Sequence, residues 1–222
     1  MWNNMLKEGL SVYLPSVSHT KKLASLVARA SRPGDMLCFD GPMGSGKTTF
    51  IRHFIRAIFN DERVEVTSPT FVLSTHYEDP GHSPVVVRHT DLHRLSAVGM
   101  PPPPPAGCYE FEEVDSSTIG LVEWASVMRH YPRKSLQLRF EVNYGQRASS
   151  QHSPQKEEEE EEDRDQRVLH LRAYDDEYWK DKLRPVFGEG EEHSCLKYFG
   201  KMRRRGEADK LLFKLRLDEG LR

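Results

Sequence analysis

A chain of 222 residues is long enough for one ordinary domain with a hydrophobic core, and its net charge of −2 at pH 7 excludes the global basic field that would attract nucleic acid. Its three cysteines form no C-x-x-C pair, and no apolar run approaches the roughly 20 residues of a membrane span, which excludes a disulfide framework, a zinc knuckle and membrane insertion. We therefore expect no membrane partner and a reducing compartment, the cytoplasm or an organelle, while the 30% of charged residues indicates solvated inserts or tails.

The N-terminal part is predicted to fold as helix, turn and strand. Ser18 is a candidate helix N-cap, and the pair Pro33-Gly34 ends the predicted helix. Between them, apolar residues at helical spacing define one face: Leu23, Leu26, Val27 and Ala30. The short apolar run 36–39, with the sequence MLCF, then predicts a buried strand.

Residues 41–48, with the sequence GPMGSGKT, match the phosphate-binding pattern G-x-x-x-x-G-K-[ST] between this strand and a second predicted helix. Glycines in such a loop let the backbone curl, so that consecutive N–H groups point at phosphate oxygens. Lys47 would reach the β- and γ-phosphates, and the Thr48 hydroxyl would hold a Mg²⁺ that bridges them. The helix after the loop has its apolar face on Phe50, Ile51, Phe54, Ile55 and Ile58. In this setting, the loop predicts a binding site for a nucleoside triphosphate.

Two later strands are predicted to end in carboxylates. The apolar run 85–87 continues to Asp91, and the run 119–122 ends at Glu123. A P-loop hydrolase needs a carboxylate near Mg²⁺ and a group that positions the attacking water, and both usually lie at strand ends that face the loop. If the two strands are neighbours in the sheet, both acids would lie beside the loop. A helix cap or a surface salt bridge is the alternative role for either acid.

Strands that alternate with helical segments predict an α/β fold of the P-loop NTPase type, a three-layer sandwich with a mainly parallel sheet. Residues 136–140 and 168–171 alternate apolar and polar side chains. They predict an antiparallel strand pair at the C-terminal side of the domain.

Two inserts are predicted within this domain. A proline-rich insert at about 97–110 contains five consecutive prolines, and an acidic insert at 146–166 contains six consecutive glutamates. The acidic insert is predicted to be disordered because it cannot bury enough apolar area to order itself. We therefore divide the chain into a P-loop domain at 1–174 and a charged C-terminal extension at 175–222. The extension is interpreted as a solvated helix or a disordered tail, with RNA binding through its basic and aromatic residues as the alternative.

The motifs GPMGSGKTTF, TSPTFVL, HTDLHRL and LVEWA, in this order, resemble the TsaE family, the small P-loop ATPases of tRNA threonylcarbamoyladenosine synthesis. The resemblance covers roughly residues 11–172 once both inserts are set aside. It implies an ATP-binding protein with weak, Mg²⁺-dependent ATPase activity that is required for threonylcarbamoyladenosine at position 37 of tRNAs that read ANN codons. It also implies TsaD-like and TsaB-like partner proteins, with tRNA contacted indirectly through their complex.

The same resemblance implies roles for individual residues. Residues 68–70 are expected to lie in a switch-like segment near the γ-phosphate. The expected catalytic residues are Glu123, Asp91 and Lys47, and the expected Mg²⁺ ligands are Thr48 and Asp91. The expected nucleotide contacts are Gly41, Pro42, Met43, Gly44, Ser45, Gly46, Lys47, Thr48, Thr49, Thr70 and Trp124.

The sequence departs from the family pattern at His93, where a tyrosine is usual, and at both inserts. His93 is expected to stack and hydrogen-bond as the tyrosine does. The alternation of His89, Asp91 and His93 along one strand also fits a transition-metal site, which is an alternative reading of these residues. Two alternative functions stay open: a small-molecule kinase, and a nucleotide-gated binding subunit that does not hydrolyse ATP.

Overall fold

The computed structural model describes residues 9–79, 83–95, 114–128, 130–132, 134–143, 166–174, 176–187, 196–202 and 210–215. The proline-rich insert and residues 146–165 of the acidic insert lie outside these ranges. The helices are α1 (Val17–Ala30), α2 (Lys47–Phe59) and α3 (Asp176–Phe187). The strands are β1 (Leu10–Leu14), β2 (Met36–Asp40), β3 (Ser74–Asp79), β4 (Ser83–Asp91), β5 (Thr118–Glu123), β6 (Ser135–Asn143), β7 (Gln166–Ala173), β8 (Leu196–Met202) and β9 (Lys210–Leu215). No helix in this part of the chain is both long and apolar enough to cross a membrane.

The strands form one mixed sheet in the order β3-β4-β5-β2-β6-β7-β1-β9-β8. Its centre is parallel, since β2 runs parallel to β5 and β6, and β5 runs parallel to β4. β3 runs antiparallel to β4, and β7 runs antiparallel to β6. β6 and β7 are the predicted antiparallel pair, with Leu138 opposite Leu171 and Asn143 opposite Gln166. The predicted α/β fold with parallel central strands is confirmed.

The sheet has a large core on one face and a small core on the other. Along β2, Leu37 and Phe39 point into the large core, and Cys38 points into the small one. The apolar faces of all three helices contribute to the large core. The opposite face is covered, in the part of the chain described, by the 3-10 turns His93–Leu95 and Ala125–Val127. The third layer of the sandwich there consists of short turns rather than α-helices.

α1 begins earlier than the sequence predicts. Its N-cap is Ser16, not Ser18, and the Ser16 carbonyl accepts the backbone N–H groups of His19 and Thr20. The Ser16 hydroxyl is hydrogen-bonded to Nδ1 of His19 at 2.7 Å. The preceding strand β1, whose leucine and valine side chains are buried in the large core, is an addition to the predicted elements.

α3 is part of the large core. Trp179, Leu183 and Phe187 recur at intervals of four residues and are fully buried there. The interpretation of the C-terminal extension as a solvated helix or disordered tail is therefore wrong for residues 176–187, because one face of this charged helix is apolar. The core of the domain extends beyond the predicted boundary at 174.

A buried ion pair fixes α3 to the turn that precedes β2. Asp35 is fully buried, and the Lys182 ammonium donates to both of its carboxylate oxygens, at 2.6 and 2.7 Å. The Tyr178 hydroxyl and the Arg32 backbone N–H donate to the same carboxylate, at 2.5 and 2.7 Å. A buried charge needs partners of this kind. Together they tie α3 to the strand that leads into the GPMGSGKT segment.

Candidate nucleotide-binding site

The GPMGSGKT segment forms a tight loop between β2 and α2. Gly44 and Gly46 have φ angles of 74° and 105°, which lie in the left-handed region that side chains disfavour. At Gly41, a Cβ atom would lie 2.7 Å from the carbonyl oxygen of Phe140 on the neighbouring β6. Gly41 also has a positive φ, of 138°. Glycine is therefore required at all three positions by backbone conformation, and at Gly41 by close packing as well.

The loop forms one wall of a cavity of about 480 Å³. The other walls come from residues 68–70 and from the carboxyl ends of β4 and β5. Gly41 and Pro42 instead line a neighbouring cavity of about 750 Å³. The structure brings the remaining predicted site residues together around the first cavity: Met43, Gly44, Ser45, Gly46, Lys47, Thr48, Thr49, Thr70, Asp91, Glu123 and Trp124.

Three lining residues are additions to the predicted site. Val17 and Thr20 come from the first turn of α1, and Arg167 comes from β7. The Cδ and Nε atoms of Arg167 lie 3.7 Å from the position of a Cβ on Gly46, so this side chain lies against the loop. No local motif marks these residues in the sequence. They reach the cavity through the strand order, which places β7 and β1 beyond β6 on one side of the loop.

Lys47 is buried and is held by carbonyl groups of its own loop. Its Nζ donates to the carbonyl oxygens of Gly41 at 2.9 Å and of Pro42 at 2.8 Å. The same atom lies 4.4 Å from the centre of the Trp124 ring. Burial lowers the pKa of the Lys47 ammonium, and the negative charge of nearby acids, chiefly Glu123, opposes this effect. The ammonium is thus held by the loop, and Lys47 lines the cavity.

Glu123 connects the end of β5 to the first turn of α2. Its Oε1 accepts the hydroxyl hydrogen of Thr48 at 2.7 Å and lies 3.0 Å from Nε2 of His89. The expected Mg²⁺ ligands, Thr48 and Asp91, both line the cavity, and the acid that is hydrogen-bonded to Thr48 is Glu123. The reason is the strand order, in which β5 is the direct neighbour of β2 and β4 lies one strand farther away.

Asp91 clamps the segment 68–70 to the end of β4. Its Oδ2 accepts the hydroxyl hydrogens of Ser68 at 2.5 Å and Thr70 at 2.6 Å, and its Oδ1 accepts the His93 backbone N–H at 2.8 Å. Burial acts to raise the pKa of Asp91, but these hydrogen bonds outweigh it and hold the pKa below its usual range. The switch-like segment is therefore fixed by a charged carboxylate.

Removal of both hydroxyls, in a Ser68→Ala/Thr70→Val double variant, is expected to lower the free energy of unfolding by about 1–3 kcal/mol at pH 7. Because the folded-state pKa of Asp91 is depressed, this contribution is present above the unfolded-state pKa of about 3.9 and is lost as the pH falls through the folded-state value. The difference between wild type and variant in urea unfolding should therefore shrink below about pH 4.

The matched control is Ser117→Ala, which removes a hydroxyl that donates to the exposed carboxylate of Asp115 at 2.7 Å. This change should affect stability less than the double variant does, because water replaces the lost hydrogen bond. A stability difference for the double variant that stays constant from pH 7 to pH 3 would contradict the stabilising role of the hydrogen bonds from Ser68 and Thr70 to Asp91.

Trp124 has a left-handed backbone conformation, with a φ of 59°, which is rare for an aromatic residue. This conformation directly follows Glu123 and turns the indole toward the loop, where it meets Lys47. The His93 ring packs against the indole with a centroid distance of 4.8 Å and an interplanar angle of 49°. His93 therefore makes the aromatic contact expected of it.

The geometry argues against the transition-metal alternative. His89 is bonded to Glu123, and the ring of His93 is packed on Trp124. Among the described residues, no group of three or more His, Cys, Asp or Glu side chains is placed to hold a metal ion.

The cavity has the features that a Mg²⁺-nucleotide requires. A glycine-rich loop and the N-terminus of α2 form one wall, and Gly46 at the N-cap carries no side chain that would occupy the first N–H groups. The Lys47 ammonium supplies a positive charge for phosphates. The Thr48 hydroxyl and the Glu123 carboxylate, 2.7 Å apart, offer the hard oxygen ligands that Mg²⁺ prefers. These residues could hold a nucleotide and its metal together.

Comparisons with known proteins agree with this architecture. The family model described as Threonylcarbamoyl adenosine biosynthesis protein TsaE matches residues 14–151. The tRNA threonylcarbamoyladenosine biosynthesis protein TsaE of Rickettsia conorii is 36% identical over 119 residues, which are 53% of this chain and 62% of that protein. The protein of the same name from Bacillus subtilis is 33% identical over 120 residues, which are 54% of this chain and 69% of that protein. The match thus spans less than two thirds of the length of the Rickettsia relative.

The crystal structure of Bacillus subtilis YdiB shares the fold, with a TM-score of 0.50 and 21% sequence identity over 79% of this chain and 93% of that chain. At this identity the likeness concerns the fold alone. The family model, by contrast, matches more than half of the present sequence, and the matched region contains the loop, Asp91 and the Glu123-Trp124 pair. The chain therefore belongs to the TsaE family of tRNA threonylcarbamoyladenosine biosynthesis proteins.

Proposed function

We propose that this protein binds ATP with Mg²⁺ and hydrolyses it slowly. In this role it is required for threonylcarbamoyladenosine formation on tRNAs that read ANN codons, together with TsaD-like and TsaB-like partners. The observation that carries the proposal is the convergence of Lys47, Thr48 and Glu123 on one cavity of about 480 Å³. Family membership supports the pathway, and the chemistry of the cavity supports the nucleotide.

Part of the cavity lining suits a nucleoside rather than phosphates. Val17 and Met43 are exposed apolar side chains, with relative exposures of 57% and 69%, and both line the cavity beside the hydroxyl-bearing Thr20. An apolar surface with a polar group is what a base and ribose require. Arg167 lies against Gly46 and adds a second cation to the wall that would receive the phosphates.

The proposal gives each side chain a role toward this ligand, and the geometry supports these roles. Mg²⁺, when bound, would neutralise negative charge on the β- and γ-phosphates. Thr48 and Glu123 would hold it through oxygen atoms. Lys47 would transfer its hydrogen bonds from its own loop carbonyls to the phosphates, where it stabilises charge that develops during hydrolysis. Asp91 would keep the hydroxyl of Thr70 at the γ-phosphate end of the cavity.

The hydrogen bonds of Asp91 support a slow reaction. Both of its carboxylate oxygens already accept hydrogen bonds from protein donors, three in all. A carboxylate that is satisfied in this way is a weak acceptor for a proton from attacking water. Efficient turnover would then require a rearrangement of the segment 68–70, which a partner protein could provide.

Complementation of a cell depleted of its own TsaE tests the proposal. The wild-type chain is expected to restore threonylcarbamoyladenosine in total tRNA, measured by mass spectrometry, whereas Lys47→Ala, Asp91→Ala and Glu123→Ala should each fail to do so. The control is Lys21→Ala, which breaks an exposed ion pair with Glu62 and should rescue as the wild type does.

The other outcomes separate the competing functions. Rescue by Lys47→Ala would overturn an ATP-dependent role. Rescue by Glu123→Ala, together with failure of Lys47→Ala to rescue, would indicate a nucleotide-gated subunit that does not need hydrolysis. ADP formation that depends strictly on an added metabolite would support a kinase instead.

A further inference from the structure

His89 is a fully buried histidine whose ring touches the acid at the centre of the candidate site. Its side chain is 0% exposed, and that of Glu123 is 3% exposed. Nε2 of His89 lies 3.0 Å from Oε1 of Glu123. Nδ1 of His89 is buried and has no hydrogen-bond partner among the described residues. Among the described residues, the only hydrogen bond of this ring is therefore the one to Glu123.

The sheet register explains how this contact arises. In the parallel pair of β4 and β5, Asp91 lies opposite Glu123, and His89 lies opposite Leu121. Side chains two residues apart on a strand share a face. His89 is therefore on the same face as Asp91 and Glu123, one step farther from the carboxyl end of the strands. It lies beneath the carboxylate of Glu123, on the side away from the cavity.

The hydrogen bonds define how the Glu123 carboxylate is oriented. A carboxylate can only accept hydrogen bonds, so Nε2 of His89 carries the hydrogen in this pair. Oε1 of Glu123 then accepts two hydrogen bonds, from the Thr48 hydroxyl and from His89. Oε2 has no hydrogen bond among the described residues, and Glu123 lines the cavity. The two donors fix one oxygen and leave the other for a ligand in the cavity.

We propose that His89 is a positioning residue, which fixes the Glu123 carboxylate so that Oε2 is presented to the cation of a bound Mg²⁺-nucleotide. The inference rests on the proposed function and adds a residue to it. Partners that orient a metal-binding carboxylate commonly change metal affinity or activity by about 10- to 100-fold when they are removed. A histidine that merely filled space in the core would change stability without any effect on Mg²⁺ dependence.

The test compares His89→Leu, which removes the donor, with His89→Gln, which keeps an N–H donor near the position of Nε2. Calorimetry measures the binding of a non-hydrolysable ATP analogue over a series of Mg²⁺ concentrations. We expect His89→Leu to raise the half-saturating Mg²⁺ concentration by about 10- to 100-fold. Affinity for the analogue without Mg²⁺ should stay unchanged, and His89→Gln should restore part of the loss.

The chain offers a matched control in His53, which lies on α2 and does not line the cavity. Its Nδ1 is also buried and has no hydrogen-bond partner within the described part of the chain. His53→Leu should leave the Mg²⁺ dependence unchanged. In a Glu123→Gln background, His89→Leu should cause no further shift, because the carboxylate through which it acts is gone.

A spectroscopic test of the hydrogen bond between His89 and Glu123 does not require a bound nucleotide. ¹⁵N chemical shifts of the imidazole in the wild-type protein should show hydrogen on Nε2 of His89. The opposite tautomer, or an unshifted Mg²⁺ midpoint in folded His89→Leu protein, would overturn the positioning role and leave the proposed function intact. Wild-type protein that shows no Mg²⁺-dependent nucleotide binding would overturn both.

Discussion

Replacement of Lys47 by alanine is expected to lower the kcat of ATP hydrolysis by about 10²- to 10³-fold, the typical loss when one preorganised charge-stabilising group is removed. Lys47 is the first residue of α2, so under the proposed function its ammonium and the helix N-terminus would act on the same phosphates. Its effect should be larger on kcat than on nucleotide affinity, because negative charge on the transferred phosphoryl oxygens is redistributed in the transition state. Steady-state ADP release at saturating Mg²⁺-ATP measures kcat, and calorimetry measures affinity.

Lys47→Arg should not restore the activity. The ammonium of Lys47 fits between two loop carbonyl oxygens at 2.8 and 2.9 Å, a place where a planar guanidinium is too large. The exposed-charge control Lys21→Ala should keep the wild-type rate. If Lys47→Ala protein hydrolysed ATP at the wild-type rate, the loop would not be the phosphate site.

Replacement of Trp179 by alanine is expected to lower the free energy of unfolding by about 3–5 kcal/mol, the usual cost of deleting a large aromatic side chain from a core. Trp179 is fully buried in the large core, and its indole N–H donates to the Lys134 carbonyl at 3.2 Å. The change would remove both the packing of α3 on the sheet and this hydrogen bond. Urea unfolding followed by circular dichroism measures the loss.

Tyr174→Ala is the control for this experiment, since that ring lies just before α3 and is 57% exposed. Its effect should stay within about 0.5 kcal/mol, as for most surface substitutions. Equal stabilities of the Trp179→Ala and Tyr174→Ala proteins would mean that α3 does not contribute to the folding unit.

The glycine-rich loop at residues 41–48 could be predicted from the sequence because its pattern is local. Eight consecutive residues contain the glycines that need unusual backbone angles and the lysine and threonine that begin the helix. Asp91 and Glu123 could be predicted as site residues for a related reason. Each follows an apolar run that identifies a strand, and the ends of parallel strands meet at one edge of a sheet. Both acids do line the cavity.

Contacts that depend on strand order could not be predicted. Which acid meets Thr48 is decided by the position of β5 next to β2, and no short segment encodes that position. Arg167 likewise reaches the loop only because β7 pairs with β6. The interpretation of α3 was wrong for a different reason. Half of its residues are charged, and this composition obscures three apolar positions spaced four residues apart.

The pairing of β6 with β7 makes the cost of a longer connection between them small. Asn143 and Gln166 are cross-strand partners, so the chain leaves one strand and enters the next at points about 5 Å apart. β6 runs parallel to β2, so this opening lies at the edge of the sheet that bears the glycine-rich loop 41–48. For a connection whose ends are already adjacent, each doubling of its length costs only about 0.6 kcal/mol in closure entropy. The number of residues between Asn143 and Gln166 can therefore change at little cost while the register of β6 and β7 stays the same.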